Sequence, residues 1–353
     1  MSKSEKRLRI AVTVVVALIV CGAGVVIYMA PSSEERPDPT GLPSIRDIAG
    51  KTGLARPAAP REAREKARPA RRETRSASRQ LPTIARAWDY DGCVIADRLP
   101  LTHVSKIPAG MLIDATTGRV LWSKHSKKQM EIASMTKMMT ALVAMDAVRQ
   151  GEIHLHSPVV VSADASRIGG SQVYLKEGEQ FSLEELLKSI LIVSANDSSH
   201  LVAEAVAGDV DRFVKKMNAR AKSLGMNDTR FYNPHGLPLK GPDNVSTAYD
   251  MALLADALRA YPQVYEWAGT WLDYFRDGTF MMANHNKLLK KCDGVDGLKT
   301  GYYSDAGFCV TATATRKGRR LIAVVIGVKS KNVRNAFTAD LIDWGYRRLG
   351  KDS

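Results

Sequence analysis

Cysteine is scarce in this chain, and its arrangement excludes the common metal and dithiol sites. The four cysteines among 353 residues form no C-x-x-C pair and no zinc-finger pattern. Cys21 lies in an apolar run, and Cys309 lies in an alternating strand pattern where a buried, apolar role is expected. A disulfide between Cys93 and Cys292 is left open by the sequence.

The motifs of three large enzyme classes are also missing. There is no H-E-x-x-H, and the close histidine pair His154 and His156 is typical of a surface strand, so no metal site is predicted. No G-x-S-x-G is present. Residues 50–52 (G-K-T) resemble the end of a P-loop, but Ile45 occupies the place of its first glycine. We therefore predict an enzyme or binding protein that uses no cofactor.

Positive charge is concentrated near the N-terminus. Of the net charge of +14, residues 1–86 contribute +9, through 17 Lys or Arg against 8 Asp or Glu. Residues 31 to about 88 are rich in Pro, Ala and Arg, and a linker is predicted over residues 31–104. Because the predicted topology places this arm outside the cytoplasm, nucleic acid is not an expected partner.

Residues 10–30 form a long uncharged apolar run. Lys and Arg precede it within residues 1–9, and the run is long enough for a helix that spans a bilayer, which needs about 20 residues. The basic flank stays in the cytoplasm, so we predict a single-pass anchor in the inner membrane with the rest of the chain on the periplasmic side. A cleaved signal peptide is the alternative, although Pro31 directly follows the candidate cleavage site.

Hydrophobic periodicity predicts an α/β domain over residues 105–353. Strands are predicted at residues 111–113, 120–122, 270–275, 279–283, 297–302, 308–315 and 321–328. Helices are predicted at residues 134–150, 183–191, 198–207, 209–224, 246–261 and 333–349. A capping box at residues 182–185 (S-L-E-E) opens the second of these helices. Strands at both ends with helices between them indicate one sheet with a helical insertion.

Three short motifs follow one another: residues 134–137 (S-M-T-K), 194–196 (S-A-N) and 299–301 (K-T-G). Ser134 begins the sole S-x-x-K of the chain. The spacing of three places Ser134 and Lys137 one turn apart on the same face of a predicted helix. At the first turn of that helix, Ser134 is also close to the positive end of the helix dipole, which stabilises the charge that develops in acyl transfer.

These residue types suit nucleophilic catalysis by a serine. A serine hydroxyl needs a base, and a lysine is one if burial and a second cation lower its pKa. We predict that Lys137 is this base and that Lys299 is the second cation. Ser194 is expected to relay a proton to the leaving amine, and Asn196 to orient Lys137 and the substrate amide. Gly301 is expected to let a substrate backbone approach its strand.

Together with their surroundings, the motifs resemble the low-molecular-mass penicillin-binding proteins, which act as serine D-alanyl-D-alanine carboxypeptidases. The resemblance extends to residues 133–140, 190–197, 233–237, 296–301, 306–308 and 343–346. It implies a β-lactamase/transpeptidase-like fold, with an antiparallel sheet flanked by helices and a helical subdomain. It also implies that the enzyme removes the terminal D-alanine of a peptidoglycan pentapeptide through an acyl-enzyme on Ser134, and that β-lactam antibiotics inhibit it.

The resemblance assigns further roles within the site. Contacts with substrate are implied for Lys299, Thr300, Gly301, Tyr302 and Arg334. The backbone N–H groups of Ser134 and Tyr302 would form the oxyanion hole, and Arg334 would bind the substrate carboxylate. Since the family's C-terminal β-domain and amphipathic anchor are not found after the catalytic domain, we expect the N-terminal helix to provide the membrane attachment.

Departures from the family pattern leave the substrate preference open. Ala195 replaces the usual glycine of the second motif, Tyr302 replaces a common histidine, and His285 stands where arginine is frequent. A D,D-endopeptidase that cuts cross-links is the alternative that the motifs barely separate from a carboxypeptidase. A β-lactamase is disfavoured because no E-x-x-L-N segment follows the second motif, and a non-catalytic wall-binding protein is disfavoured by the intact catalytic set.

Overall fold

The computed structural model describes residues 81, 83, 87–238 and 241–351. The predicted cytoplasmic segment, the predicted anchor at residues 10–30 and most of the predicted linker lie outside these residues. Among the described residues, no helix combines the length and the apolar character that a membrane span requires.

Twelve strands occur in the described part of the chain. They are β1 Val94–Ile95, β2 Ala109–Asp114, β3 Arg119–Lys124, β4 Met130–Glu131, β5 Pro158–Val160, β6 Gln180–Ser182, β7 Val245–Ser246, β8 Leu272–Phe275, β9 Phe280–Ala283, β10 Val295–Tyr303, β11 Gly307–Arg316 and β12 Arg319–Val328. Six of them form a central sheet in the order β1-β3-β2-β12-β11-β10, and the others pair as β4–β7, β5–β6 and β8–β9. The central sheet is antiparallel except between β1 and β3.

Eight α-helices surround this sheet within the same residues. They are α1 Lys137–Gln150, α2 Ala163–Ser166, α3 Leu183–Ile192, α4 Asn196–Ala207, α5 Val210–Ser223, α6 Ala248–Leu258, α7 Pro262–Gly269 and α8 Lys331–Leu349. Helices α1 to α7 follow one another between β3 and β8 and are called the helical block below. Five helices begin with a side-chain cap, at Ser162, Ser182, Asp209, Thr247 and Ser330.

The central strands are buried on both faces, which explains their continuous apolar runs. In β12, Ile322, Val324 and Ile326 belong to the larger core, which they share with the helical block. The residues between them belong to a second core, together with Phe337 and Leu341 of α8. Alternate side chains of one strand thus enter two cores, as the two-residue period of a strand requires.

The predicted fold class is confirmed, and every predicted strand and helix is present with shifted ends. The capping box at Ser182 and Glu185 is formed. Pro262, which directly follows the helix predicted at residues 246–261, begins α7, because proline is favoured at the first helical position. Cys93 and Cys292 are free thiols, so the disulfide left open by the sequence is not formed. Cys309 is buried in β11, as predicted.

The packed domain begins before residue 105, where the sequence pattern placed its start. Trp88 and Leu99 are buried, and β1 pairs with β3 inside the range predicted as linker. The few apolar residues of this stretch are separated by turns and charged residues, so they show neither the helical nor the strand period.

Candidate active site

The three sequence motifs lie on three neighbouring elements of the fold. Ser134 is in a short 3₁₀ helix, Ala133–Thr136, which leads directly into α1. Asn196 is the first residue of α4, and Ser194 lies in the connection from α3. The third motif is in β10, at the edge of the central sheet. The helix start predicted at Ser134 is therefore present, with a tighter first turn.

Lys137 joins the first two motifs through its side-chain amine. Its Nζ lies 3.0 Å from Ser134 Oγ, 2.6 Å from Asn196 Oδ1 and 2.6 Å from the carbonyl oxygen of His235. The side chain of Lys137 is fully buried. Burial first, and then the charge of Lys299, hold the pKa of Lys137 well below its ordinary value of 10.5.

This set of partners suits an uncharged amine. The amide oxygen of Asn196 and the carbonyl oxygen of His235 are acceptors only, and they match the two N–H groups of a neutral lysine. The hydroxyl of Ser134 is then free to donate to the remaining lone pair of Lys137. A serine held in this way has a base in position to remove its proton.

Two further buried cations lie near this pair. Lys299 donates to the carbonyl oxygen of Thr300 at 3.1 Å, and Arg334 donates to the carbonyl oxygen of Cys309 at 3.0 Å. Burial, followed by the charge of Arg334, lowers the pKa of Lys299 to about 7. Burial lowers the pKa of Arg334 to about 10. Within the described residues neither cation forms an ion pair with a carboxylate, so this region attracts an anion.

Ser194 has a strained backbone and an unsatisfied hydroxyl. Its φ is 66°, in the left-handed region that residues with a side chain seldom adopt. Its Oγ is buried and has no hydrogen-bond partner among the described residues. Strained backbone and unpaired buried polar groups both concentrate at functional sites. Because Ser194 is two residues from Asn196, its hydroxyl is on the loop that carries the second motif.

Two glycines make room for the turn that carries Ser134. A Cβ atom on Gly301 would lie 2.7 Å from the carbonyl oxygen of Ile132, and a Cβ atom on Gly236 would lie 2.0 Å from that of Ala133. The turn is therefore wedged between two segments that tolerate no side chain. Gly301 is predicted from the sequence to admit a substrate backbone, whereas the backbone that approaches it in the structure is the protein's own.

Thr300 and Tyr302 share one face of β10, as alternate strand residues do. Thr300 is buried, whereas Tyr302 is 56% exposed. The ring of Tyr302 stacks on Phe308 of β11, with the ring centroids 4.0 Å apart. The side chain of Tyr302 thus borders the motif without entering the polar cluster around Lys137.

Arg334 lies in the first turn of α8, as predicted, and its guanidinium is buried. Its Nη1 donates to the carbonyl oxygen of Cys309, and its Nε and Nη2 donate to Asn335 Oδ1 at 3.0 and 2.7 Å. Cys309 pairs with Gly301 across β10 and β11, so the guanidinium lies at the level of the third motif. These bonds use three of the five N–H groups of a guanidinium.

The sequence did not indicate that a main-chain carbonyl group completes the site. His235 belongs to residues 233–237, which carry part of the family resemblance, but its role is that of its backbone oxygen. Burial first, then the charge of Lys137, lower the pKa of the His235 imidazole to about 3, so the ring is neutral. Its Nδ1 accepts a hydrogen bond from the N–H of Leu237 at 3.0 Å.

Asp197 is a second residue whose part in the site was not predicted. Its carboxylate is fully buried and accepts hydrogen bonds from the N–H groups of Val173 at 3.1 Å, Leu175 at 3.2 Å and Ser198 at 2.9 Å. Its negative charge acts on Lys137 in the direction that raises the lysine pKa. Its position directly after the second motif is the signal that could have identified it.

A family model described as D-alanyl-D-alanine carboxypeptidase, peptidase S11, matches residues 102–330. This range contains all three motifs and more than half of the chain. The chain belongs to this family. Membership in the D-alanyl-D-alanine carboxypeptidase family confirms the resemblance inferred from the sequence motifs.

Curated proteins that are similar in sequence to this chain include carboxypeptidases and an endopeptidase. D-alanyl-D-alanine carboxypeptidase DacF of Bacillus subtilis is 42% identical over 249 residues, which cover 70% of this chain and 63% of the relative. DacC of Escherichia coli is 37% identical over 246 residues, which cover 68% of this chain and 61% of DacC. A D-alanyl-D-alanine endopeptidase of Pseudomonas aeruginosa is 32% identical over 251 residues, covering 70% and 79%. The chain thus spans less than two thirds of the length of the two carboxypeptidases.

Solved structures of this family share the fold. Penicillin-binding protein D2 of Listeria monocytogenes, in its ampicillin-bound form, is similar with a TM-score of 0.63 and 30% identity, over 68% of this chain and 98% of that one. Penicillin-binding protein 6B of Escherichia coli has a TM-score of 0.64 and 35% identity, over 68% of this chain and 77% of that one. These similarities agree with the predicted β-lactamase/transpeptidase-like fold.

Replacing Gly236 by alanine should destabilise the protein much more than replacing Gly178. Both glycines have positive φ, 75° and 83°, so the left-handed backbone costs about 1–2 kcal/mol at each. Only at Gly236 does the added Cβ meet a neighbour, whereas nothing lies within 4 Å of it at Gly178. We expect a further loss of about 1–3 kcal/mol for Gly236→Ala in urea denaturation. Equal losses would show that this contact does not hold the Ser134 turn.

Proposed function

We propose that this chain is a serine D-alanyl-D-alanine carboxypeptidase, which removes the terminal D-alanine of peptidoglycan pentapeptides through an acyl-enzyme on Ser134. The observation that carries the proposal is the buried amine of Lys137, 3.0 Å from Ser134 Oγ and held by Asn196 and His235. Membership in the D-alanyl-D-alanine carboxypeptidase family supports the same reaction.

The proposed reaction begins with attack on the carbonyl carbon of the penultimate D-alanine. Lys137 Nζ removes the proton of Ser134 as the Oγ–C bond forms, and the N–H groups of Ser134 and Tyr302 stabilise the oxyanion. When the tetrahedral intermediate collapses, the C–N bond breaks, and the proton that Lys137 took from Ser134 passes through Ser194 to the departing amine, which leaves Lys137 neutral again. Water then attacks the ester as Lys137 removes a proton from it, and Lys137 returns that proton to Ser134 Oγ as the shortened peptide leaves.

The preference for a free terminal carboxylate is proposed to come from Lys299, Thr300 and Arg334. The two cations are buried and lack carboxylate partners among the described residues, and a charge-assisted hydrogen bond is worth about 1.5–3 kcal/mol. This attraction favours a peptide that ends at the D-alanine over one in which the chain continues. The alternative, a D,D-endopeptidase of cross-links, is supported by the similarity to the endopeptidase of Pseudomonas aeruginosa.

Acylation of Ser134 should be measured with the intact chain and penicillin, followed by mass spectrometry of the peptide that contains residue 134. Ser134→Ala should abolish the added mass, and Lys137→Arg should slow acylation by about 10²- to 10⁴-fold, because a guanidinium stays protonated. Lys128→Arg, on an exposed lysine, should react like the unmodified protein.

The same preparation should release D-alanine from a pentapeptide faster than it cleaves a cross-linked dimer. In the penicillin experiment, added mass on another residue, or added mass that persists in Ser134→Ala, would contradict the proposed nucleophile. Faster cleavage of the dimer would instead favour the endopeptidase.

The charge of Lys299 should determine the alkaline side of the pH profile. With its pKa lowered to about 7, Lys299 is charged below that pH and neutral above it, so kcat/KM for a carboxylate-ending peptide should fall as the pH rises through about 7. In Lys299→Arg the cation persists, and the fall should move to higher pH. Penicillin acylation measured in parallel reports the amount of folded protein. A profile that keeps its position in Lys299→Arg would contradict this role.

We also propose that the catalytic domain works outside the cytoplasm, with residues 10–30 as its membrane anchor and β-lactams as inhibitors. The apolar run and its basic flank support the anchor, and the ampicillin-bound form of the Listeria monocytogenes relative supports the inhibitors. A reporter fused after residue 90 should be active only outside the cytoplasm. A reporter active inside, or a processed N-terminus beyond residue 30, would contradict the anchor.

A further inference from the structure

We propose that Tyr174 is a specificity-determining residue of this site, whose ring packs against the side chain of the substrate residue that precedes D-alanyl-D-alanine. The ligand group that fits it is a long aliphatic side chain. This inference rests on the proposed function and deepens it, because it names the part of the peptide that is recognised beyond the cleaved bond.

Tyr174 combines a large exposed ring with a strained backbone. Its side chain is 63% exposed, and its φ is 56°, in the left-handed region. A bulky residue keeps such a conformation only when its surroundings hold it there, and such positions cluster at functional sites. Ser194, the proposed proton relay, has the same kind of backbone with a φ of 66°. Both residues are close in the fold to Asn196.

The backbone on both sides of Tyr174 is clamped. From the interior, the carboxylate of Asp197 accepts hydrogen bonds from the N–H groups of Val173 and Leu175 at 3.1 and 3.2 Å. From the opposite side, Arg276 in the β8–β9 turn donates to the carbonyl oxygens of Val173 at 3.2 Å and Tyr174 at 3.0 Å. The segment is therefore tied both to the residue after the second motif and to a separate hairpin.

Arg276 is itself held in place. It forms an ion pair with Glu179 at 2.7 Å, and its guanidinium lies over the rings of Phe181 and Phe275 at 5.4 and 5.6 Å. The clamp is thus a set of fixed contacts, and the strain at Tyr174 is maintained by groups outside its own segment.

The clamped segment runs along Asn196. The backbone N–H of Asn196 donates to the carbonyl oxygen of Ser171 at 2.7 Å, and its Nδ2 donates to that of Gly169 at 2.8 Å. Asn196 also binds Lys137 through Oδ1, so this segment is joined to the polar cluster that contains Ser134. The proposal places the substrate residue before D-alanyl-D-alanine against the residues that follow Ser171.

The side chain of Tyr174 is turned outward, whereas those of its two neighbours, Val173 and Leu175, are buried. One edge of the ring meets Phe280 of β9, with the centroids 6.2 Å apart at 66°. The rest of the ring is exposed. A long aliphatic side chain laid against it would remove apolar surface of both partners from water, whereas the methyl group of alanine would cover little of it.

Two peptides test this assignment, N-acetyl-norleucyl-D-alanyl-D-alanine and N-acetyl-alanyl-D-alanyl-D-alanine. The ratio of their kcat/KM values, measured with the intact chain, should favour the norleucine peptide by about 10-fold. Tyr174→Ala should bring this ratio close to one, and Tyr174→Phe should retain it because the ring is kept. Tyr274→Ala is the matched control, since Tyr274 is 62% exposed on β8, and it should leave the ratio unchanged.

Tyr174→Gly separates recognition from folding. Glycine adopts positive φ readily, so the thermal midpoint of Tyr174→Gly should equal or exceed that of the unmodified protein. The ratio of the two kcat/KM values should nevertheless fall as in Tyr174→Ala. An unchanged ratio in Tyr174→Ala would overturn the inference. So would a lowered thermal midpoint of Tyr174→Gly with equal losses on both peptides, which is the behaviour of a structural residue. Failure of the unmodified protein to release D-alanine from either peptide would overturn the proposed function as well.

Discussion

The buried amine of Lys137 is the interaction on which the rest of this site depends. A charged ammonium group is costly to bury, and the pKa of this one is held low by burial and by the neighbouring charge of Lys299. The carbonyl oxygens of Asn196 and His235 accept hydrogen bonds from this amine, and Ser134 Oγ lies 3.0 Å from it. One nitrogen atom therefore joins α1, α4 and the loop at His235.

The pKa values of the basic groups of the site are all lowered, and the groups have separate tasks. Burial and the charge of Lys299 hold the pKa of Lys137 well below 10.5, while burial lowers the pKa of Lys299 to about 7 and that of Arg334 to about 10. This favours a neutral amine next to the nucleophile, whereas Arg334 is a cation at neutral pH. Groups of one type with different pKa values in one cleft are the usual means of obtaining base and electrostatic functions together. Lys299 contributes to both tasks, because its charge lowers the pKa of Lys137 and, below about pH 7, it is a cation that attracts a carboxylate.

Much of the fold and the motif set could be predicted from the sequence because these features are local. The spacing of Ser134 and Lys137, the capping box at Ser182 and the apolar run of β12 each depend on residues within one or two turns. The burial of Trp88 was not predicted, because isolated apolar residues between turns carry no period.

Features set by tertiary contacts left no such signal. The acceptor from His235 is a backbone oxygen that every residue type possesses, so only the folded chain shows which carbonyl group reaches Lys137. Glycine is needed at position 301 because of a neighbour distant in sequence, Ile132, and the strain at Tyr174 is maintained by Asp197 and Arg276.

The protonation state of Lys137 tests the account most directly. Lysine labelled with ¹³C at Cε should show a resonance, assigned by its loss in Lys137→Arg, that titrates at a pH well below 10.5, the pKa of an ordinary lysine. A Lys137 resonance that titrates near 10.5 would contradict the account.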